Sequence, residues 1–200
     1  GGPARRLASC AGNTYADLTW SPDGRWLVFS QRDTTTGVFA LVAVPAAGGG
    51  PVRRLTRPPP GVWGDHDAAF SPDGARVAFT RSASEGVQEL YVVPFEGGPE
   101  TRLTHDGRTM NGHDWLSDGS GLVFASRRTG TFGLWQIGAP GGEPVPVPGA
   151  WVSPGKPAVA RGGGRLVFQE ASHDVNLWRV EPAGDSTAAA PFAASTRWDL

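Results

Sequence analysis

Cysteine is nearly absent from this 200-residue chain: Cys10 stands alone, so no internal disulfide can form and the redox compartment stays open. Lysine is as scarce, with Lys156 the only copy, so almost all positive charge is arginine. No apolar run approaches the ~18–20 residues that a membrane-spanning helix needs, so no span is expected. A secretory leader pattern is missing too, which says little if the chain is a fragment. A basic block is also lacking. The chain has 18 Lys and Arg against 19 Asp and Glu, for a net charge of -1, and the pairs Arg5-Arg6, Arg53-Arg54 and Arg127-Arg128 are dispersed. Nucleic-acid binders concentrate such charge on one face or segment, so no nucleic-acid contact is expected. Charge of this kind suits solvated strand edges, where it blocks edge-to-edge aggregation. Finally, there is no Gly-x-Ser-x-Gly elbow, no phosphate-cradling loop and no dinucleotide fingerprint. We therefore expect no catalytic residue and no cofactor within these residues.

Glycine (29) and proline (18) make up nearly a quarter of the chain, yet 39% is hydrophobic and eight residues are tryptophan. Disordered Gly/Pro-rich chains lack that apolar content, because they cannot bury enough surface to offset chain entropy. Many short strands joined by Gly/Pro turns fit better, and an all-β fold follows.

The order of the strands comes from a repeat. Residues 18–29, which contain Ser21-Pro22-Asp23-Gly24, recur as residues 68–79 with Ser71-Pro72-Asp73-Gly74. They return at 114–124 around Asp118-Gly119, and faintly at 158–168 around Gly162-Gly163. The closing residues Phe29, Phe79, Phe124 and Phe168 fall 50, 45 and 44 residues apart. Two further markers keep step. One is Leu41-Val42, Leu90-Tyr91, Leu134-Trp135 and Leu177-Trp178; the other is Arg54-Leu55-Thr56 and Arg102-Leu103-Thr104, with Arg6-Leu7-Ala8 as an earlier copy. Periods of ~40–50 residues built from four short strands mark a β-propeller.

Each repeat reads as inner strand, tight turn, second strand, variable loop, third strand, Gly-rich turn and outer strand. Proline presets φ in the tight turn, and glycine accepts the left-handed conformation that ends it. The expected blades are residues 14–56, 65–104, 111–148 and 156–193. Residues 1–8 read as the outer strand of a preceding blade, and 195–200 as the start of a following one. A closed four-blade ring could not use both scraps, since the blade they imply lacks its two middle strands. The expected fold is thus four four-stranded antiparallel blades in an open arc, part of a larger six- or seven-bladed ring.

This strand order puts the Ser-Pro-Asp-Gly and Gly-Gly turns on one face of the disc, and the loops between blades and between second and third strands on the other. All four histidines belong to this loop face, each followed by an acid: His66-Asp67, His105-Asp106, His113-Asp114 and His173-Asp174. The longest inter-blade connection, which carries Pro58, Pro59, Pro60 and Trp63, lies there too. Loops on a rigid scaffold commonly carry binding. The candidate binding residues are Trp63, Asp65, His66, Asp67, His105, His113, Asp114, His173 and Asp174, for a protein partner or a small ligand. Imidazole and carboxylate suit zinc or nickel, but the spacing matches no ligand motif and a closed site needs three or four converging groups. The His-Asp pairs read as solvated or turn-capping, and no metal is expected. Trp20, Trp115, Trp135 and Trp178 fall at strand positions and read as packing residues.

The segment Trp20 to Gly24, the Leu27-Val28-Phe29 after it, the Gly-Gly turns and the Arg-Leu-Thr endings resemble the WD40-like repeat of TolB-type propellers over nearly the whole chain. That family implies a six- or seven-bladed ring in one of three settings: the periplasmic protein TolB, the propeller of prolyl-oligopeptidase-like and tricorn peptidases, or the sensor half of CadC-like winged-helix transcription regulators. Residues 174–179 after Gly164 to Phe168 look most like the third. The resemblance implies a non-catalytic, TolB-like binding module, sensory or scaffolding, in a periplasmic or extracytoplasmic setting. Its alternative is a substrate-gating propeller whose peptidase domain lies elsewhere.

Overall fold

Two hydrogen-bonded side chains shape the tight turn of the repeat. In the first copy Ser21 Oγ donates to Asp23 Oδ1 (2.5 Å) and accepts from the Trp26 amide (2.9 Å), while Asp23 Oδ1 also accepts from the Arg25 amide (3.0 Å). The Gly24 amide closes onto the Ser21 carbonyl (2.9 Å) with φ at 70°, a left-handed conformation that favours glycine. Ser71, Asp73 and Gly74 repeat these contacts. The third copy keeps Asp118, which accepts from the Ser120 amide and hydroxyl. Each turn sends the chain back antiparallel to itself.

The computed structural model describes residues 4, 6–7, 17–149, 152–162, 164–171, 176–179 and 190–194. Among them there is no helix, and the strands fall into successive antiparallel groups. The first is β1 (Leu18–Trp20), β2 (Trp26–Arg32), β3 (Phe39–Pro45) and β4 (Arg53–Arg54); the second is β5 (Gly64–Phe70), β6 (Arg76–Ser84), β7 (Val87–Pro94) and β8 (Thr101–Arg102). The third is β9 (Met110–Trp115), β10 (Gly121–Ser126), β11 (Gly133–Gly138) and β12 (Val145–Pro146). Two antiparallel pairs follow, β13 (Pro154–Val159) with β14 (Leu166–Glu170), and β15 (Asn176–Arg179) with β16 (Ala190–Ala194). The expected strand at 1–8 lies outside the described residues except for Ala4, Arg6 and Leu7, and the expected start of a blade at 195–200 lies wholly outside them. The inner strands pack in the order β1, β5, β9, β13, and among the described residues β1 and β13 form no extended contact. The blades therefore form an open arc of a β-propeller.

Alternation along buried strands builds the seams between blades. On β6, Val77 and Phe79 join Val28, Leu41, Phe70 and Val93 in the first seam, while Ala78 joins Leu90, Leu103, Trp115, Leu122 and Phe124 in the second. Both faces of the central strands are covered, so they read as continuous apolar runs. Burying each of Phe79, Phe124, Leu41 and Leu90 contributes about 1.5–3 kcal/mol. Arginines cross the seams: Arg53 lies 4.1 Å from the Phe95 ring centre, and Arg76 lies 4.6 Å from that of Trp115 while donating to the Gly119 carbonyl (2.8 Å).

The Arg-Leu-Thr ending ties the outer strand to the third one. Thr56 Oγ1 accepts from the Leu41 amide and Thr104 Oγ1 from the Leu90 amide, both at 2.9 Å. Arg54 and Arg102 donate through Nε to the carbonyls of those same threonines (3.1 and 2.8 Å). The marker pair Leu41 and Thr56 is one hydrogen-bonded unit seen twice in sequence.

Two observations depart from the sequence reading. Trp20, expected to pack, is 50% exposed beside Leu18, because no described blade covers that flank of β1. Trp115, by contrast, is 2% exposed and donates to the Ala69 carbonyl. Second, β3 and β5 touch through one parallel bridge, Phe39 with Gly64, which joins the first two blades into a single sheet. A Cβ at Gly64 would lie 2.1 Å from the Phe39 carbonyl oxygen, so only glycine admits this approach.

Candidate functional site

The loop face is built where the 57–63 connection leaves the first blade. Trp63 is held at both backbone groups: the Phe39 amide donates to its carbonyl and its own amide donates to the Ser82 carbonyl, each at 3.0 Å. Its indole stays 48% exposed. Beside it opens a pocket of about 510 Å³, lined by Trp63, Gly61, Phe39, Val38 and Arg32. Arg32 Nε donates to the Gly37 carbonyl (3.1 Å), which fixes the guanidinium at the pocket wall. An aromatic on a clamped backbone can bind at little entropic cost, since its own ordering is already complete.

The neighbouring acids and histidines divide by depth. Asp65 is fully buried and takes a bidentate contact from Arg81 (Nε to Oδ1 2.6 Å, Nη2 to Oδ2 2.8 Å). Arg81 Nη1 continues to Glu100 (2.8 Å), whose other oxygen accepts from the Arg57 amide (2.9 Å). This chain of contacts fastens the second blade to the first. Burial pushes the Asp65 carboxyl up, Arg81 pulls it back, and Arg81 itself is held more firmly protonated than usual. Asp65 thus belongs to the seam, and the structure does not bring it to the face.

His66 is buried, with Nε2 2.7 Å from Ser82 Oγ, and burial lowers its pKa below the usual 6.5 against the opposing pull of Asp67. His113 is deeper, its side chain 1% exposed. Its Nδ1 lies 3.4 Å from Thr80 Oγ1 and 4.0 Å from Asp67 Oδ2, and its Nε2 has no hydrogen-bond partner among the described residues. Burial lowers its pKa too; Asp67, Asp114 and the Ala78 backbone only partly offset this. Both rings are therefore neutral at pH 7. They are not the solvated pairs expected from the sequence, because the strands that carry them turn their side chains inward.

Asp67 remains partly accessible, between His113 and Lys156 Nζ (3.7 Å from Oδ1). Asp114 is taken up structurally: Oδ1 accepts from the Trp115 amide and Oδ2 from the Val159 amide (2.7 Å), which stitches β9 to β13. His105 is exposed, with its neighbour Asp106 paired to Arg128 (2.9 Å). His173 and Asp174 lie outside the described residues.

Three inner strands share a local irregularity that sequence reasoning missed. Asp67, Gly112 and Lys156 have φ of 59°, 88° and 47°, each at the register shift of its strand. One extra residue at that point re-aims the side chains around it. The three positions are equivalent in the repeat, but Asp67, Gly112 and Lys156 share no residue type, so the sequence carries no common signal for the bulge. Among the described residues no three His, Cys, Asp or Glu side chains converge in a way that could hold a metal ion. Nor is any helix there long and apolar enough to cross a membrane.

Blade order, seam packing and the clamped loop face define the class: this chain has the fold of a TolB-type β-propeller. A TolB-like protein from Agrobacterium tumefaciens superposes with a TM-score of 0.67 at 23% identity, covering 92% of this chain and 68% of that one. TolB from Acinetobacter baumannii superposes at 0.63 and 19% identity, covering 87% of this chain and 39% of that one. In sequence, an uncharacterized protein of Agrobacterium fabrum is 29% identical over 155 residues, 78% of this chain and 50% of that protein. Tricorn protease homolog 1 of Streptomyces coelicolor is 46% identical over 59 residues, 28% of this chain and 5% of that protein. This chain thus spans half the length of the first of these relatives and a small part of the second. No family model matches it.

Proposed function

We propose that this chain is a non-catalytic binding module of a larger bacterial protein, and that its loop face, led by Trp63, takes a protein partner or small ligand. The observation that carries this reading is the exposed indole of Trp63 on a backbone fixed at both groups, beside an open pocket. Asp67, the rings of His66 and His113 behind it, and exposed His105 extend the face. The TolB-type fold supports a sensory or scaffolding role in an extracytoplasmic setting. The resemblance of residues 174–179 to CadC-like regulators favours the sensor half of a transcription regulator. The blades proposed at residues 14–56, 65–104, 111–148 and 156–193 form the module.

The test is a small-molecule and peptide fragment screen read by amide and indole NMR shifts, with the Trp63 indole assigned through Trp63→Phe. Shifts should gather at Trp63 and residues 31–39. Shifts gathered at the turns 21–25 and 71–75 instead would overturn the assignment.

A second reading rests on the 59-residue match to a tricorn protease homolog. There the propeller would gate substrate access to a serine peptidase domain outside this chain. The purified chain should show no ester or peptide turnover under either reading. A hydrolase domain encoded in the same reading frame would favour the second, and a winged helix with a membrane span the first.

A further inference from the structure

Exposed arginines without an ion-pair partner among the described residues occur on both faces, with Arg25, Arg161 and Arg165 on the turn face. The repeat motif places Asp23, Asp73 and Asp118 on the turn face. On the loop face Arg32, Arg57, Arg108 and Arg127 are all exposed, and none has an ion-pair partner among the described residues. The acids of that face are largely engaged. Asp33 pairs with Arg54 (3.2 Å), Asp106 with Arg128 (2.9 Å) and Asp67 with Lys156 (3.7 Å), which leaves exposed Glu85, exposed Glu170, which accepts from the Val152 amide, and half-buried Asp17. Arg32 lines the 510 Å³ pocket together with Trp63. That volume lies in the ~300–1,000 Å³ range of ligand sites.

We propose that the loop face docks an acidic, extended peptide segment of a partner protein, with one carboxylate taken by Arg32 in the pocket it shares with Trp63. This deepens the loop-face reading above and rests on it. A guanidinium without a counter-ion offers planar, charge-assisted hydrogen bonds to a carboxylate. The exposed indole supplies apolar area at the place where interfaces concentrate their energy. Nucleic acid is the weaker candidate. Four arginines spread over three blades do not track a phosphate backbone, and the chain as a whole carries -1.

The experiment uses the full 200-residue chain and a fluorescein-labelled decapeptide of alternating Glu and Ala, read by anisotropy. Its counterpart carries Gln in place of Glu, and a thymidine oligonucleotide serves as competitor. The Glu peptide should bind at least about tenfold more tightly than the Gln peptide, and more weakly as salt rises. R32E and W63A should each weaken it roughly tenfold, while R25E on the turn face leaves it unchanged. Melting curves identify variants that remain folded, and Arg32→Gln serves where R32E does not. Equal binding of the two peptides, no binding up to ~1 mM peptide, or preferential displacement by the oligonucleotide overturns the proposal. If W63A loses both peptides while R32E binds both as wild type, the acidic occupant is wrong and the loop face stands. Wild-type binding by both variants removes the loop face as well.

Discussion

Lys156 reaches Asp67 across the inner strand of the blade between them, with Nζ 3.7 Å from Oδ1 and both residues at positive φ. Gly112 lies along that path. A Cβ there would come within 3.0 Å of Lys156 Cα, and its own φ is 88°. Left-handed non-glycine residues cost of order 1–3 kcal/mol each and persist only where their surroundings over-determine them, often at functional sites.

Glycine replacements should separate backbone strain from collision. At Gly24 a Cβ meets nothing within 4 Å, so Gly24→Ala should cost only the conformational penalty, about 1 kcal/mol. Gly64→Ala meets backbone atoms of Phe39 at 2.1 Å and 2.5 Å and has φ at 116°, so it should cost more than about 3 kcal/mol. Urea unfolding of the two variants would measure the difference; equal costs would show that the β3–β5 contact is loose.

Breaking the seam ion pair should be severe. Asp65 is 0% exposed and Arg81 11%, so removing either leaves a charge stranded between blades. Arg81→Met should destabilise by about 3–5 kcal/mol, while Asp65→Leu with Arg81→Met together should cost less than the two single changes combined. Denaturant midpoints for the double-mutant cycle supply the check.

Acid should act in two steps. The pKa values of His66 and His113 are lowered by burial, so below pH 6.5 the unfolded chain binds protons that the folded chain refuses, and stability falls with pH. Each ring should contribute a slope approaching about 1.4 kcal/mol per pH unit below that point. Asp23, Asp73 and Asp118 behave differently. Hydrogen bonds, first from Ser21, Ser71 and Ser120, hold their carboxyls below the usual 3.8, so their contribution is present above that value and lost only as pH falls through the lowered ones. Calorimetry of His113→Gln should show a shallower fall between pH 6.5 and 5 and an unchanged fall below pH 4.

The uncovered flanks should promote self-association. Trp20 is 50% exposed on β1 and Val167 64% on β14. Apolar surface of this kind, sited on strands made for packing, invites a second copy or a further blade. Trp20→Ser with Val167→Ser should reduce concentration-dependent association in sedimentation velocity, and extending the repeat array should raise the melting temperature. A wild-type chain that stays monomeric at high concentration would remove this expectation.

The repeat was legible because its signals are local. Ser21, Asp23 and Gly24 close a turn through contacts no more than five residues apart, and Leu41 meets Thr56 within one blade. The alternation of Val77, Ala78 and Phe79 between two seams follows from strand geometry alone. Placing Trp63 at the loop face needed only the strand order.

The state of the site residues was decided elsewhere. Asp65 and Asp67 are two positions apart, and simple alternation puts them on the same side of β5. In the structure Asp65 meets Arg81 in the seam and Asp67 meets Lys156 from another blade, because the bulge adds a residue between His66 and Ala69. A bulge at positive φ leaves no signature in an aspartate or a lysine, and the partners that make it tolerable lie on strands 45 or more residues away. Residue identity and period determined the blades and their turns; which acids stay at the surface was settled by blade-to-blade packing, where burial cost and opposite charge act between segments that sequence does not place side by side.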